Sequence, residues 1–81
     1  MRQLLTTPGQ AGEILRAQRK SRKLGQQELA TKLGISQSRL SSLETDPAGL
    51  TLERFLALAH LLGLELVLQE KERARGSKAE W

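Results

Sequence analysis

Gln37, Ser38, Ser41 and Ser42, flanked by Arg39, fall at a spacing that a helix of about two turns presents on one outward face. All but the arginine are short, uncharged donors and acceptors. Such a helix fits the major groove of B-form DNA. There glutamine can pair bidentately with adenine, and serine can bond several base edges. A second group is cationic: Arg16, Arg19, Lys20, Arg22 and Lys23 crowd together just upstream. Residues 1–27 hold six basic side chains against one acid, whereas residues 28–70 hold three against six. Charge alone fits either a solvated helix face or a patch facing phosphates. The chemistry that is missing narrows the choice. There is no cysteine and one histidine, His60, which reads as a helix-face residue. No nucleophile–base pair, paired catalytic carboxylates or phosphate loop can be assembled, so the chain does not read as an enzyme. Neither a metal ion nor a cofactor is expected.

The elements that must carry these groups are short. Thr7-Pro8 opens a first helix, with Gln10 placed to complete a capping box and Ala11, Ile14 and Leu15 forming its apolar stripe. This helix should fade near Arg22-Lys23. A second helix is expected from Gln26 to Leu33, with Leu29, Ala30 and Leu33 inward and Gly34 ending it in the left-handed conformation. Ile35 turns back to the core. Ser36 caps a third helix over Gln37–Glu44, held by Leu40 and Leu43. Asp46-Pro47-Ala48-Gly49 is a turn cluster. Thr51 caps a fourth helix with Phe55, Leu58, Ala59 and Leu62 inward, Leu50 stapled against Phe55, and Gly63 at its end.

Residues 26–44 thus hold two short helices joined by a tight turn. They resemble the phage-repressor-like helix-turn-helix family of the Xre or Cro/C1 type. The matching residues are Leu24, Gln26, Glu28, Leu29, Ala30, Leu33, Gly34, Ile35, Ser36, Gln37, Leu40 and Glu44. The resemblance spans roughly residues 11–63. It implies that Gln37, Ser38 and Ser41 read bases. It also implies that Gln26 contacts a phosphate and braces Gln37. Arg16, Arg19, Lys23, Ser36 and Arg39 join Gln26 as expected backbone contacts. Three positions depart from the family pattern. Gln18 replaces an apolar residue, which should anchor the first helix less well. Lys23 stands where glycine is usual. Gly25 stands where a threonine or serine would cap the second helix.

After Gly63 the pattern changes. Leu64 to Gln69 is rich in apolar residues, alternates over its first three, and reads as a short strand. A lone strand leaves its backbone unpaired, and the chain offers no second one. Pairing with the same strand of another copy is the simplest remedy, which makes Leu64, Leu66, Val67 and Leu68 a dimer interface. The expected fold is therefore mainly α: a four- to five-helix domain over residues 7–69 with a C-terminal strand shared across a homodimer. An N-terminal extension covers residues 1–6 and a flexible tail residues 70–81.

The strand, the tail, Asp46-Pro47, Thr51-Leu52, Phe55 and Trp81 look like HipB-type antitoxins. That resemblance implies a repressor of its own operon that binds a HipA-type serine/threonine kinase toxin. Trp81 would be its anchor, since a tryptophan gains its roughly 150–250 Å² of burial only when enclosed. Two recognition helices would enter successive major grooves of an inverted-repeat operator about 34 Å apart. Two other readings stay open: a stand-alone repressor without a toxin partner, and a module that inhibits a toxin by protein contact alone. No apolar run approaches a membrane span and no secretory signal is evident, so a cytoplasmic site is expected.

Overall fold

The computed structural model describes residues 2–71. It contains four α-helices in chain order: α1 over Pro8–Ser21, α2 over Gln26–Leu33, α3 over Gln37–Thr45 and α4 over Leu52–Leu61. A single 3-10 turn, Pro47–Gly49, separates α3 from α4. Each helix start follows a local signal. The Thr7 side chain accepts from the Gln10 N–H, and the Gln10 side chain returns the bond, completing the expected capping box. Ser36 and Thr51 cap α3 and α4 by accepting from the N–H groups of Arg39 and Arg54. Gly25 gives α2 no side-chain cap.

Three helices end in the same way. After α1, α2 and α4 the chain passes through positive φ at Lys23, Gly34 and Gly63. In each case the next N–H (Leu24, Ile35 or Leu64) reaches back to the carbonyl of Arg19, Ala30 or Ala59. This closure satisfies the last carbonyls of a helix and favours glycine. At α1 a lysine holds the glycine's place, with φ 59°. The left-handed conformation costs a residue with a Cβ about 1 kcal/mol.

α1 packs on α3 and the 3-10 turn, and α2 packs on α3 and α4. Leu15, Leu29, Ala30, Leu40, Leu58 and Leu62 form the buried cluster where the four helices meet, with Leu24, Leu33, Ile35, Leu50, Phe55, Leu61 and Leu64 packed around it. Burying one such leucine contributes roughly 1.5–3 kcal/mol. Gly12 allows α1 and α3 to touch. A Cβ there would lie inside the contact distance of the Glu44 carbonyl oxygen and 3.2 Å from Pro47 Cγ. Gln18 anchors α1 where the sequence suggested weakness, because its Nε2 donates to the Leu62 carbonyl at the end of α4, at 3.0 Å. A polar residue in that stripe is bonded to a helix terminus that needs a donor.

The strand expected over residues 64–69 is not formed: no strand occurs among the described residues. The physical reason is the one that pointed to a dimer, since an extended segment in one chain has no ladder to join. Leu64 is half-buried on its own core, which removes part of it from any interface between copies. Leu66, Val67 and Leu68 are 44%, 68% and 93% exposed. The N-terminal extension is tethered to this segment by a 3.0 Å hydrogen bond from Arg2 to Gln69. Trp81 and most of the expected tail lie outside the described residues.

Candidate nucleic-acid interface

α3 presents Gln37, Ser38, Arg39 and Ser42 to solvent, while Ser41 is half-buried. The opposite side of the helix holds Leu40, Leu43 and Glu44 in the interior. Leu40 at 1% exposure and Leu43 at 3% leave the helix no freedom to roll. The short polar face therefore projects from a rigid support. The turn before it is closed by Gly34, whose left-handed φ of 84° reverses the chain, and by Ile35 packing on the core.

Behind the face runs a polar chain that starts inside the protein. Arg19 is 7% exposed and Glu44 is 5% exposed. Arg19 Nε donates to Glu44 Oε2 at 2.7 Å and Nη2 to Oε1 at 3.1 Å, the two-point geometry that suits guanidinium and carboxylate. Its remaining arm donates to the Leu24 carbonyl at 3.0 Å. Glu44 Oε1 also accepts from Gln26 Nε2 at 3.0 Å. Gln26 Oε1 then accepts from Gln37 Nε2 at 3.4 Å, a long bond on the exposed surface. No buried side-chain nitrogen or oxygen among the described residues lacks a partner.

Arg19 must therefore leave the set of backbone contacts proposed from sequence. Its charge is committed to Glu44 in the interior, and reaching a phosphate would abandon that carboxylate. Arg16, Lys20 and Lys23 remain on the surface, as do Ser36 and Arg39. The Arg22 guanidinium lies against Gly63, beside the carboxyl end of α4, where a cation is favourably placed. Ser36 Oγ is occupied as an acceptor by its own helix, so only its O–H is free for an outside group. Gln26 is half-buried at the uncapped start of α2, whose first-turn N–H groups are left for solvent or an anion.

Two participants escaped the sequence reading. Glu44 fits the family pattern without an evident task in the sequence, and in the structure it joins Arg19 to Gln26. Arg54 lines an open depression with Arg39 and the acidic Glu53, between α3 and the start of α4, which brings a second cation to that side of α3. No helix among the described residues is long and apolar enough to cross a membrane.

Residues 15–69 match the helix-turn-helix family. No curated protein sequence matches significantly. Among solved structures, a HipA–HipB–O2–O3 complex contains a chain 30% identical, with a TM-score of 0.79, the match covering 88% of this chain and 100% of that one. A chain in a HipB–O4 20mer complex is likewise 30% identical, with a TM-score of 0.78 and coverage of 88% and 100%. A chain in a HipB–O1–O2 complex is 30% identical, with a TM-score of 0.77 and coverage of 85% and 100%.

Proposed function

Because the chain belongs to the helix-turn-helix family, we propose that it is a sequence-specific repressor that binds double-stranded operator DNA as a homodimer. It further acts as the antitoxin of a type II toxin–antitoxin pair, represses its own operon, and binds a HipA-like serine/threonine kinase toxin. The observation that carries the DNA reading is the exposed Gln37–Ser38 end of α3, braced from behind by Gln26. Base edges are read by Gln37, Ser38 and Ser41. Phosphates are held by Arg16, Lys23, Gln26, Ser36 and Arg39, with Arg54 added. Dimerisation uses Leu66, Val67 and Leu68, an apolar run too exposed for a lone chain. Likeness to chains of a HipA–HipB–O2–O3 complex and of a HipB–O4 20mer complex supports the antitoxin reading. The toxin contact is assigned to the tail and Trp81.

A gel shift on the DNA upstream of the gene, repeated across salt concentrations, tests the first part. Gln37→Ala should cost about 1–3 kcal/mol on the cognate operator and relax base choice at one position. Unchanged operator preference would show that another residue reads the sequence. Co-purification of a kinase-like partner with the full chain, lost on removing residues 70–81, tests the second part. Persistent co-purification would relocate the toxin contact.

A further inference from the structure

We infer that the buried Arg19–Glu44 pair fixes the direction in which Gln37 presents its amide to DNA, with Gln26 as the relay. The inference rests on the base-reading role proposed above for Gln37. An ionised carboxylate accepts hydrogen bonds and donates none. Glu44 accepts two bonds from a guanidinium that stays charged in proteins, the geometry of an ion pair. Its Oε1 lies 3.0 Å from the side-chain amide of Gln26. Of the two ways an amide can face an acceptor, only one is favourable, with the NH₂ group turned inward. Gln26 must then turn its own oxygen outward, and that oxygen sits 3.4 Å from Gln37 Nε2.

The same logic applies once more at Gln37. Facing an oxygen, it must place its NH₂ group toward Gln26. One N–H is engaged there, leaving the second N–H and the Oε1 lone pairs for the groove. Adenine shows the major groove an acceptor at N7 and a donor at N6, and a glutamine with one N–H and one oxygen free matches both. Guanine shows two acceptors, N7 and O6, so the oxygen of a fixed Gln37 would face another oxygen. A glutamine free to flip could turn its NH₂ group to either purine. The buried carboxylate thus converts a rotatable amide into a directional one, acting through Gln26, which touches no base. Gln26 and Glu44 are positioning residues in this scheme.

The test selects binding sites from a random duplex library with the full chain as wild type, Gln37→Ala and Gln26→Met. Gln26→Met keeps the length of the side chain and leaves the Arg19–Glu44 pair in place. A thermal melt checks that it folds. At the position relaxed by Gln37→Ala, Gln26→Met should reduce the preference for adenine over guanine about tenfold, within the range of one bidentate contact. Preferences at other positions should stay. Overall affinity will fall for every sequence through the lost phosphate contact, so the readout is the ratio between bases. A ratio equal to wild type overturns the relay, as does an equal loss at every position. If Gln37→Ala relaxes no position, the base-reading role fails and the relay for DNA fails with it. A readout on the free protein separates the two failures. The Gln37 side-chain NH₂ resonances should move in Gln26→Met when the bond exists, and stay fixed when it does not.

Discussion

Replacing Arg19 distinguishes an interior strut from a phosphate contact, because the two roles predict opposite results. In Arg19→Ala, three hydrogen bonds vanish, to Glu44 Oε2, Glu44 Oε1 and the Leu24 carbonyl. Glu44, at 5% exposure, keeps only its bond from Gln26. Removing one partner of a buried pair costs about 3–5 kcal/mol, mostly from the charge left behind. A domain of this size holds on the order of 4–12 kcal/mol in total, at roughly 0.05–0.15 kcal/mol per residue. The variant should therefore lose about a quarter or more of its stability. Melting followed by far-ultraviolet circular dichroism should fall by more than about 12 °C, since 1 kcal/mol moves a domain this small by roughly 4–8 °C. The double variant Arg19→Met, Glu44→Leu should recover most of that loss, because it leaves no buried charge. For a phosphate contact, stability would stay put while the salt dependence of DNA binding dropped by about one ion. An Arg19→Ala protein that melts with the wild type and shows that reduced slope would refute the interior assignment.

Other substitutions probe the remaining supports. Gly12→Ala forces a methyl group against the Glu44 carbonyl oxygen and Pro47, and should cost about 1–3 kcal/mol in urea unfolding as an overpacked contact; no loss would mean that α1 and α3 can separate freely. Lys23→Gly relieves the left-handed lysine and should raise stability by about 1 kcal/mol. The same change removes a surface cation, so operator affinity should drop; unchanged binding would dismiss Lys23 as a phosphate contact. Leu68→Asp places a charge on a side chain that is 93% exposed in the single chain. It should leave the melting of the helices intact yet turn a dimer into a monomer in sedimentation, and a dimer that survives it would move the interface elsewhere.

The helices were legible because their ends are written locally. Thr7-Pro8, Ser36 and Thr51 start them, and Gly34 and Gly63 stop them, each through bonds within a few residues. The face of α3 was legible for the same reason, since Leu40 and Leu43 fix which side is buried. Arg19 was misread because it sits in a run of cations and its partner lies 25 residues away. Yet the pattern held a clue. Ala11, Leu15 and Arg19 are spaced by four and share one buried stripe of α1, and Leu40 and Glu44 do the same on α3. A charge that continues an apolar stripe has to find an opposite charge inside, and each helix supplied one. Gly12 gave no comparable signal, because the closeness of two crossing helices is a property of the packed structure alone. The segment 64–69 read as a strand from its residue types, but a strand is a relation between two segments, and one chain holds only one of them.

The presence of a charged pair in so small a core needs a reason beyond stability. Apolar residues of similar volume fill such a space as well or better, because they avoid stripping water from two ions. What they cannot supply is a direction. A methyl group beside Gln26 would accept either end of its amide, and Gln37 would inherit that indifference at the surface. A carboxylate accepts one end only, and the guanidinium that anchors it comes from α1, which packs on α3 itself. The pair therefore couples the packing of two helices to the polarity of a side chain on the outside. This is why the double variant Arg19→Met, Glu44→Leu is informative in both assays at once. Restored melting together with an undiminished preference for adenine would leave the charge with no task. Restored melting with a lost preference would assign it to recognition and not to folding.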